Sequence, residues 1–248
     1  MKLVMPLAGR GSRFLAQGYN IPKPLIEIKG KPMIGWAFDS IKDFHFDDLI
    51  FIILKQHDEE YSLASKLKKL YPTAEIVMQE GFVNGAVLTI FLARDLIETE
   101  DSIAIYNPDQ YFSGPSSSLI NRAFRTGVSG LIPVFYATHP KWSFAAVGED
   151  GFVTKVAEKE PISTHATVGM YIFKHGTDFF WGADQMIRKD IRVNNEFYVC
   201  PVYNELILRG DKIKIIPSKF MWGLGTPEDV KYFEKFYSPE NGVNNIPL

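Results

Sequence analysis

Lys2-Leu3-Val4-Met5-Pro6-Leu7-Ala8-Gly9-Arg10-Gly11-Ser12-Arg13-Phe14 is an apolar run of strand type that ends in a glycine-rich turn, with an arginine two residues past the second glycine. Glycines let successive backbone N–H groups converge on an anion, and arginine adds planar, charge-assisted hydrogen bonds roughly twice as strong as neutral ones. The residues alone fit either a phosphate loop with its own cation or a tight turn closing a strand. Spacing excludes two common phosphate patterns. The Walker loop needs Gly-Lys-Ser/Thr after four intervening residues, and the dinucleotide fingerprint needs a third glycine at the helix start, where Phe14 stands. Downstream, Pro22-Lys23-Pro24-Leu25 frames a lysine between two prolines. Their fixed backbone either holds Lys23 in one direction as a point charge or makes a rigid loop.

Charge supports the anion reading. The 248-residue chain carries a net −2, without the basic excess of a nucleic-acid binder. Yet Met1 to Gly35 holds Lys2, Arg10, Arg13, Lys23, Lys29 and Lys31 against Glu27 alone, six against one. A small polyanionic ligand uses such a balance. The longest apolar run, Leu49 to Leu54, is far short of a bilayer span, so a soluble protein without membrane association is expected. The single Cys200 has no partner for a disulfide or a thiolate metal site, which fits a reducing, cytoplasmic setting and a spectator thiol.

Outward from the first strand, apolar runs of strand type alternate with longer stretches of helical period. Strands are predicted near Leu3 to Leu7, Leu49 to Leu54, Glu75 to Met78 and Ser102 to Tyr106, and helices near Met33 to Lys42, Glu59 to Leu70 and Ala86 to Ile97. That order predicts βαβ units and an α/β fold with a mixed, mostly parallel sheet flanked by helices. After Asp109 the pattern turns strand-rich, with strands near Gly130 to Tyr136, Phe144 to Gly148, Phe152 to Val156 and Val168 to Phe173. Helices near Asp178 to Arg188 and Pro201 to Leu208, a strand at Lys212 to Pro217, and a helix opening at Pro227 follow. One domain spanning 1–237 is expected, with a first half (1–110) that carries the glycine-rich loop, a strand-rich second half (111–237) that builds a lid or acceptor-binding face, and a tail at 238–248.

Asp109 closes the apolar run Ile103 to Tyr106, and carboxylates at the carboxyl ends of strands in open α/β sheets face the ligand crevice. By residue type it fits a Mg²⁺ ligand or the cap of a turn after Pro108. Lys159, between Glu158 and Glu160, fits an anion contact or an exposed ion-paired lysine. Trp142 and Trp222 fit a sugar platform, a cation–π contact or core filling. The five histidines show no metal spacing and no nucleophile partner.

The ordered series Leu7 to Phe14, Ile21-Pro22-Lys23-Pro24-Leu25-Ile26 and Gly30-Lys31-Pro32-Met33-Ile34 resembles the opening of the sugar-phosphate nucleotidyltransferases. The likeness continues through Gln79, Gly85-Ala86, Asn107-Pro108-Asp109-Gln110, Glu158-Lys159, Val168-Gly169-Met170-Tyr171 and Gly225-Thr226-Pro227-Glu228-Asp229. It implies a Rossmann-like fold related to the GT-A glycosyltransferases, and Mg²⁺-dependent coupling of an NTP (CTP, UTP or dTTP) to a sugar phosphate with release of pyrophosphate, in the service of surface polysaccharide synthesis. A cytidylyltransferase acting on a non-sugar phosphomonoester such as phosphocholine or an alditol phosphate, and a GT-A glycosyltransferase, stand as alternatives. A homo-oligomer is compatible with the resemblance.

The resemblance also implies residue roles. Gly9, Gly11 and Arg13 hold the triphosphate, Lys23 contacts phosphate at the reacting centre, and Ala8, Gln79 and Gly85 line the nucleotide. Asp109 binds Mg²⁺. Glu158, Lys159 and Gly169 hold the acceptor. One position departs from the pattern: the second metal-binding aspartate expected two residues before Gly225 is Gly223, and Asp229 and Glu196 are the candidates to replace it.

Overall fold

Leu3 and Met5 enter one apolar core while Val4, between them, enters another; Leu49, Phe51 and Ile53 alternate in the same way with Ile50 and Ile52. A strand that is apolar on both faces needs cover on both, and the helices supply it. The computed structural model describes residues 1–238. In chain order, β1 (Lys2–Pro6) leads through the glycine loop to the one-turn α1 (Ser12–Leu15). A 3₁₀ turn at Lys23–Leu25 and a small hairpin, β2 (Glu27–Ile28) with β3 (Lys31–Pro32), precede α2 (Met33–Ser40). There follow β4 (Asp48–Leu54), α3 (Lys55–Tyr61), α4 (Leu63–Leu70), β5 (Glu75–Gln79), α5 (Ala86–Phe91), α6 (Arg94–Ile97), β6 (Ile103–Tyr106) and β7 (Gln110–Phe112). Beyond these lie α7 (Ser117–Arg125), β8 (Gly130–Tyr136), β9 (Ser143–Val147), β10 (Val153–Glu158), β11 (His165–Thr167) and β12 (Met170–Phe173). The chain closes with α8 (Gly176–Arg188), α9 (Val202–Arg209), β13 (Ile213–Pro217), β14 (Met221–Gly223) and α10 (Pro227–Phe236).

Ten strands form one mixed sheet in the order β10-β9-β11-β8-β12-β6-β1-β4-β5, with β13 added parallel to β8. The run β6-β1-β4-β5 is wholly parallel, with Lys2 opposite Asp48 on one edge of β1 and Ile103 on the other. β12 joins β6 antiparallel, and the strand-rich second half continues the same sheet rather than forming a separate layer. The carboxyl ends of β1 and β6 lie side by side, so the glycine loop and Asp109 leave the sheet at one crevice.

The structure departs from the expected elements where local chemistry overrides period. The helix expected at Glu59 to Leu70 breaks at Ser62, which takes φ +51°, and the Asp58 carboxylate accepts the Ala64 N–H at 2.8 Å across the break. That expected at Ala86 to Ile97 divides at Leu92–Ala93. The helix α7, which the sequence reading missed, buries only Ile120 and Phe124, too few apolar positions to stand out among Ser, Asn and Arg. β7 and β14 pair over three residues each, too short to show alternation.

A third apolar cluster ties the chain ends together. Phe14 of α1, Ile26, Ile28, Met33 and Trp36 pack against Trp222, Leu224, Val230 and Phe233. The Trp36 ring meets Phe233 edge-on at 5.0 Å and its indole N–H donates to the Ile28 carbonyl at 2.9 Å. Both the glycine loop and α10 are thereby fixed to one apolar floor. The tail expected at 238–248 lies, beyond Ser238, outside the described residues.

Candidate active site

Gly11 sits at φ +62° at the head of α1, and its carbonyl accepts the N–H groups of Phe14 and Leu15 at 2.9 and 3.0 Å. The left-handed backbone favours glycine there. At Gly9 an added Cβ would meet no protein atom within 4 Å, so packing does not call for glycine at that position. Phe14, 2% exposed, plugs α1 into the third cluster and leaves Arg13 exposed beside the central cavity. The Pro-Lys-Pro loop lies against the glycine loop: a Cβ on Gly11 would stand 3.8 Å from Lys23 Cβ.

Lys23 Nζ donates to Asp109 Oδ2 at 2.6 Å, with each side chain about a quarter exposed. Oδ1 of Asp109 is buried and has no hydrogen-bond partner. A buried carboxylate oxygen left bare is costly unless a cation or donor completes it, which is what a Mg²⁺ ligand would show. The Asp109 carbonyl in turn accepts the Leu224 N–H at 2.8 Å, tying the carboxylate to the Gly225-Thr226-Pro227 segment. Asp229, at the first turn of α10, lines the same cavity; Thr226 Oγ1 caps the helix by accepting its N–H at 3.1 Å, and Lys141 Nζ donates to its Oδ1 at 2.8 Å. Glu196 does not line this cavity and interacts with Tyr198 instead. Among the described residues no three His, Cys, Asp or Glu side chains converge, so an ion here would be completed by ligand phosphates and water, the usual habit of Mg²⁺.

The cavity, about 170 Å³, is floored by Ser143, Glu158, Thr167 and Tyr171. Ser143 Oγ donates to the Glu158 carboxylate, and Tyr171 Oη lies 3.0 Å from Thr167 Oγ1 and 3.5 Å from Ser143 Oγ. Burial pushes the Glu158 carboxyl above the ordinary range; Ser143 and Lys159 counter that push, and Glu196 adds to it. Gly169, at φ +73°, takes a left-handed backbone that favours glycine, and the end of the Gln110 side chain occupies the space a Cβ would need, its Oε1 1.9 Å away. Lys159 takes φ +58°, and its ammonium donates to Tyr198 Oη at 2.6 Å while lying 4.5 Å over that ring. Arg13 also acts on the Tyr198 phenol electrostatically, so charges from both halves of the chain meet at Tyr198.

Gln79 ends β5 at 2% exposure, its amide N–H donating to the Gly81 carbonyl at 2.7 Å and its Oε1 buried without a partner. Gly85, at φ +112°, heads α5, and a Cβ there would fall 2.4 Å from both N and O of Phe197. The Phe197 N–H donates to the Asn84 carbonyl at 2.9 Å. Ala8 is 5% exposed at the end of β1. Ala8, Gly9, Gln79, Gly85 and Lys159 stand outside the cavity around Asp109, although Ala86 lines it, and Gly11 and Lys23 line a neighbouring one.

The sequence reading missed Lys141, Ser143, Thr167 and Tyr198. They are common residue types in loops or short strands, brought to the cavity only by the sheet order. It left the two tryptophans open, and they separate: Trp222 is 8% exposed within the third cluster, while Trp142 lines the cavity with Lys141 Nζ 4.6 Å over its ring.

Known proteins resemble this chain in sequence and in fold. The family model described as nucleotidyl transferase matches residues 3–190. The UTP–glucose-1-phosphate uridylyltransferase of Komagataeibacter xylinus is 24% identical over 205 residues, covering 69% of this chain and 72% of that protein. The UTP–glucose-1-phosphate uridylyltransferase AglF of Haloferax volcanii is 25% identical over 242 residues, covering 92% and 93%. The chain spans about half the length of two other archaeal relatives. Among solved structures, a nucleoside-diphosphate-sugar pyrophosphorylase from Vibrio cholerae RC9 superposes with a TM-score of 0.80 at 24% identity, over 94% of this chain and 99% of that one, a likeness of fold. With a family model spanning most of its length and a cation-lined crevice at the carboxyl ends of β1 and β6, this chain belongs to the nucleotidyl transferase family.

Proposed function

We propose that this protein transfers a nucleotidyl group from an NTP to the phosphate of a small polyhydroxylated acceptor, a sugar phosphate first among them, releasing pyrophosphate. The observation that carries the reading is the convergence of Arg13 and Asp109, the latter paired with Lys23 from the adjoining loop, with a hydrogen-bonding floor in one cavity. An acceptor phosphate is anionic at neutral pH, so one of its oxygens attacks the α-phosphorus without a general base. The bond from the α-phosphorus to the oxygen bridging it to the β-phosphate breaks, and pyrophosphate leaves with that electron pair. The chain's task is to bring two anions together and neutralise the leaving group. Arg13 and the glycine loop bind the triphosphate, and Lys23 stands at the reacting centre. Lys159 and Lys141 face the acceptor side.

The buried bare oxygen of Asp109 fits a Mg²⁺ ligand. Bound there, Mg²⁺ would add Lewis-acid neutralisation of the phosphates.

The floor of Ser143, Glu158, Thr167 and Tyr171 favours an acceptor with several hydroxyl groups, a sugar or alditol phosphate. Phosphocholine fits less well, because the two aromatic rings that would cage a quaternary amine, Trp142 and Tyr198, each already carry a lysine ammonium over the ring. Which base the site takes is a matter for Gln79, whose buried free carbonyl oxygen is positioned to accept a hydrogen bond. Among the described residues no helix is long and apolar enough to cross a membrane, in keeping with the proposed cytoplasmic setting.

The test is a pyrophosphate-release assay over a matrix of NTPs against sugar 1-phosphates, alditol phosphates and phosphocholine, with an EDTA control. Release with one NTP and a polyol phosphate, abolished by EDTA, supports the proposal. Release with phosphocholine alone would overturn the acceptor class, and consumption of an NDP-sugar without pyrophosphate would point to glycosyl transfer.

A further inference from the structure

We propose that Asp229, from the first turn of α10, supplies the second carboxylate of the metal site in place of the side chain that Gly223 lacks. This rests on the nucleotidyl-transfer reading and adds to it a residue that the sequence pattern places elsewhere. A Cβ built on Gly223 would stand 3.6 Å from Asp229 Cγ and 3.7 Å from its Oδ1. An aspartate at 223 would carry its own carboxyl carbon about 1.5 Å beyond that Cβ, so the Asp229 carboxylate lies in the neighbourhood that such a side chain would reach. The rest of the space is filled: the same Cβ would press on Trp142 Cη2 at 2.9 Å. Glycine at 223 is thus the condition for Trp142 to pack as it does, while Asp229 keeps an ordinary contact distance.

Asp229 also faces the other ligand. A Cβ on Gly225 would be 3.2 Å from Asp109 Oδ2 and 3.9 Å from Asp229 Oδ2, so the two carboxylates flank one glycine. Gly225 has no side chain to separate them. Each has one oxygen on a lysine, and at Asp109 that oxygen, Oδ2, is the one nearer Gly225. Asp109 has one oxygen on Lys23 and one buried and bare; Asp229 has one oxygen on Lys141, and its other, Oδ2, is the one nearer Gly225. Two carboxylates beside one glycine repel, and each is held by one lysine. A divalent ion held by both carboxylates competes with both ammonium groups and frees them for phosphate. The same arrangement explains why Lys141, a loop residue with no place in the sequence pattern, lines the cavity.

The probe is Mn²⁺ alone, titrated by electron paramagnetic resonance against the full chain. Asp229→Asn and Asp109→Asn are each expected to weaken Mn²⁺ binding by at least about tenfold. Glu196→Gln should leave it within twofold, and Lys141→Met should tighten it severalfold by removing a competitor. Mn²⁺ affinity of a folded Asp229→Asn variant equal to that of the unchanged chain overturns the proposal, and so does failure of the unchanged chain to bind. A second measurement needs no variant: Fe²⁺ with ascorbate should cleave the backbone near both Asp109 and Asp229, and cleavage near Asp109 alone overturns the proposal. Pyrophosphate release in the unchanged chain is read separately, so the parent reading survives either negative result.

Discussion

Arg13 shows how a single side chain tests the account. It is exposed on a one-turn helix that Phe14 anchors, so its loss removes charge from the cavity and little from the fold. Arg13→Ala is expected to lower turnover by roughly 10²- to 10³-fold, the usual effect of removing one preorganised donor, with an unchanged melting temperature; steady-state kinetics and a thermal melt check both halves. Glu158 carries the opposite balance. Burial raises its carboxyl pKa, so folding disfavours the ionised form relative to the unfolded chain. Stability from this group is complete below the ordinary glutamate value, about 4.3, and is lost as pH rises toward the raised folded value. Glu158→Gln should therefore melt higher than the unchanged chain at pH 7 and equal to it near pH 4, while KM for the acceptor rises. Equal melting at both pH values would contradict the burial argument. Both residues were named from the sequence, yet neither their partners nor the raised pKa of Glu158 was legible there. Ser143 lies fifteen residues from Glu158 and pairs with it across β9 and β10.

At the scale of elements, loops that look like ordinary turns prove to be fixed by close backbone approach. Gly85 was named for a nucleotide contact, and the structure adds a packing reason, the Phe197 backbone 2.4 Å from any Cβ. Gly85→Ala is expected to destabilise the protein by about 1–3 kcal/mol through strain at positive φ and overpacking. Hydrogen exchange should quicken at Val87 and Phe197, whose N–H groups close this junction; unaltered exchange would sever the link between the two loops. Such contacts cannot be read from sequence because the partner is backbone, which has no residue identity. The strands of the parallel half were legible because Leu3 to Leu7 and Leu49 to Leu54 are apolar at nearly every position, the mark of a buried strand. β7 and β14 were not, since three residues carry no period.

Over the whole molecule the decisive contact is the third apolar cluster. It holds α1, with Arg13, and α10, with Asp229, against one floor formed by α2 and its hairpin. Sequence order sets these segments more than two hundred residues apart, and only the antiparallel return of the second half brings them together. Phe233 is fully buried at that junction. Phe233→Ala is expected to cost about 3–5 kcal/mol and to weaken Mn²⁺ and triphosphate binding together, measured by chemical denaturation and by titration. Loss of stability with both affinities intact would show that the cluster does not hold the site.

The central claim, that this cavity joins an NTP to a polyol phosphate at the α-phosphorus, is tested most directly by ³¹P nuclear magnetic resonance of the protein with Mg²⁺, an NTP and a sugar 1-phosphate. The account predicts that the signals of the β- and γ-phosphates are replaced by pyrophosphate while a diphosphate diester grows in equal amount, and that Arg13→Ala slows both together. Orthophosphate as the sole product, or a diester that forms without pyrophosphate, would contradict it.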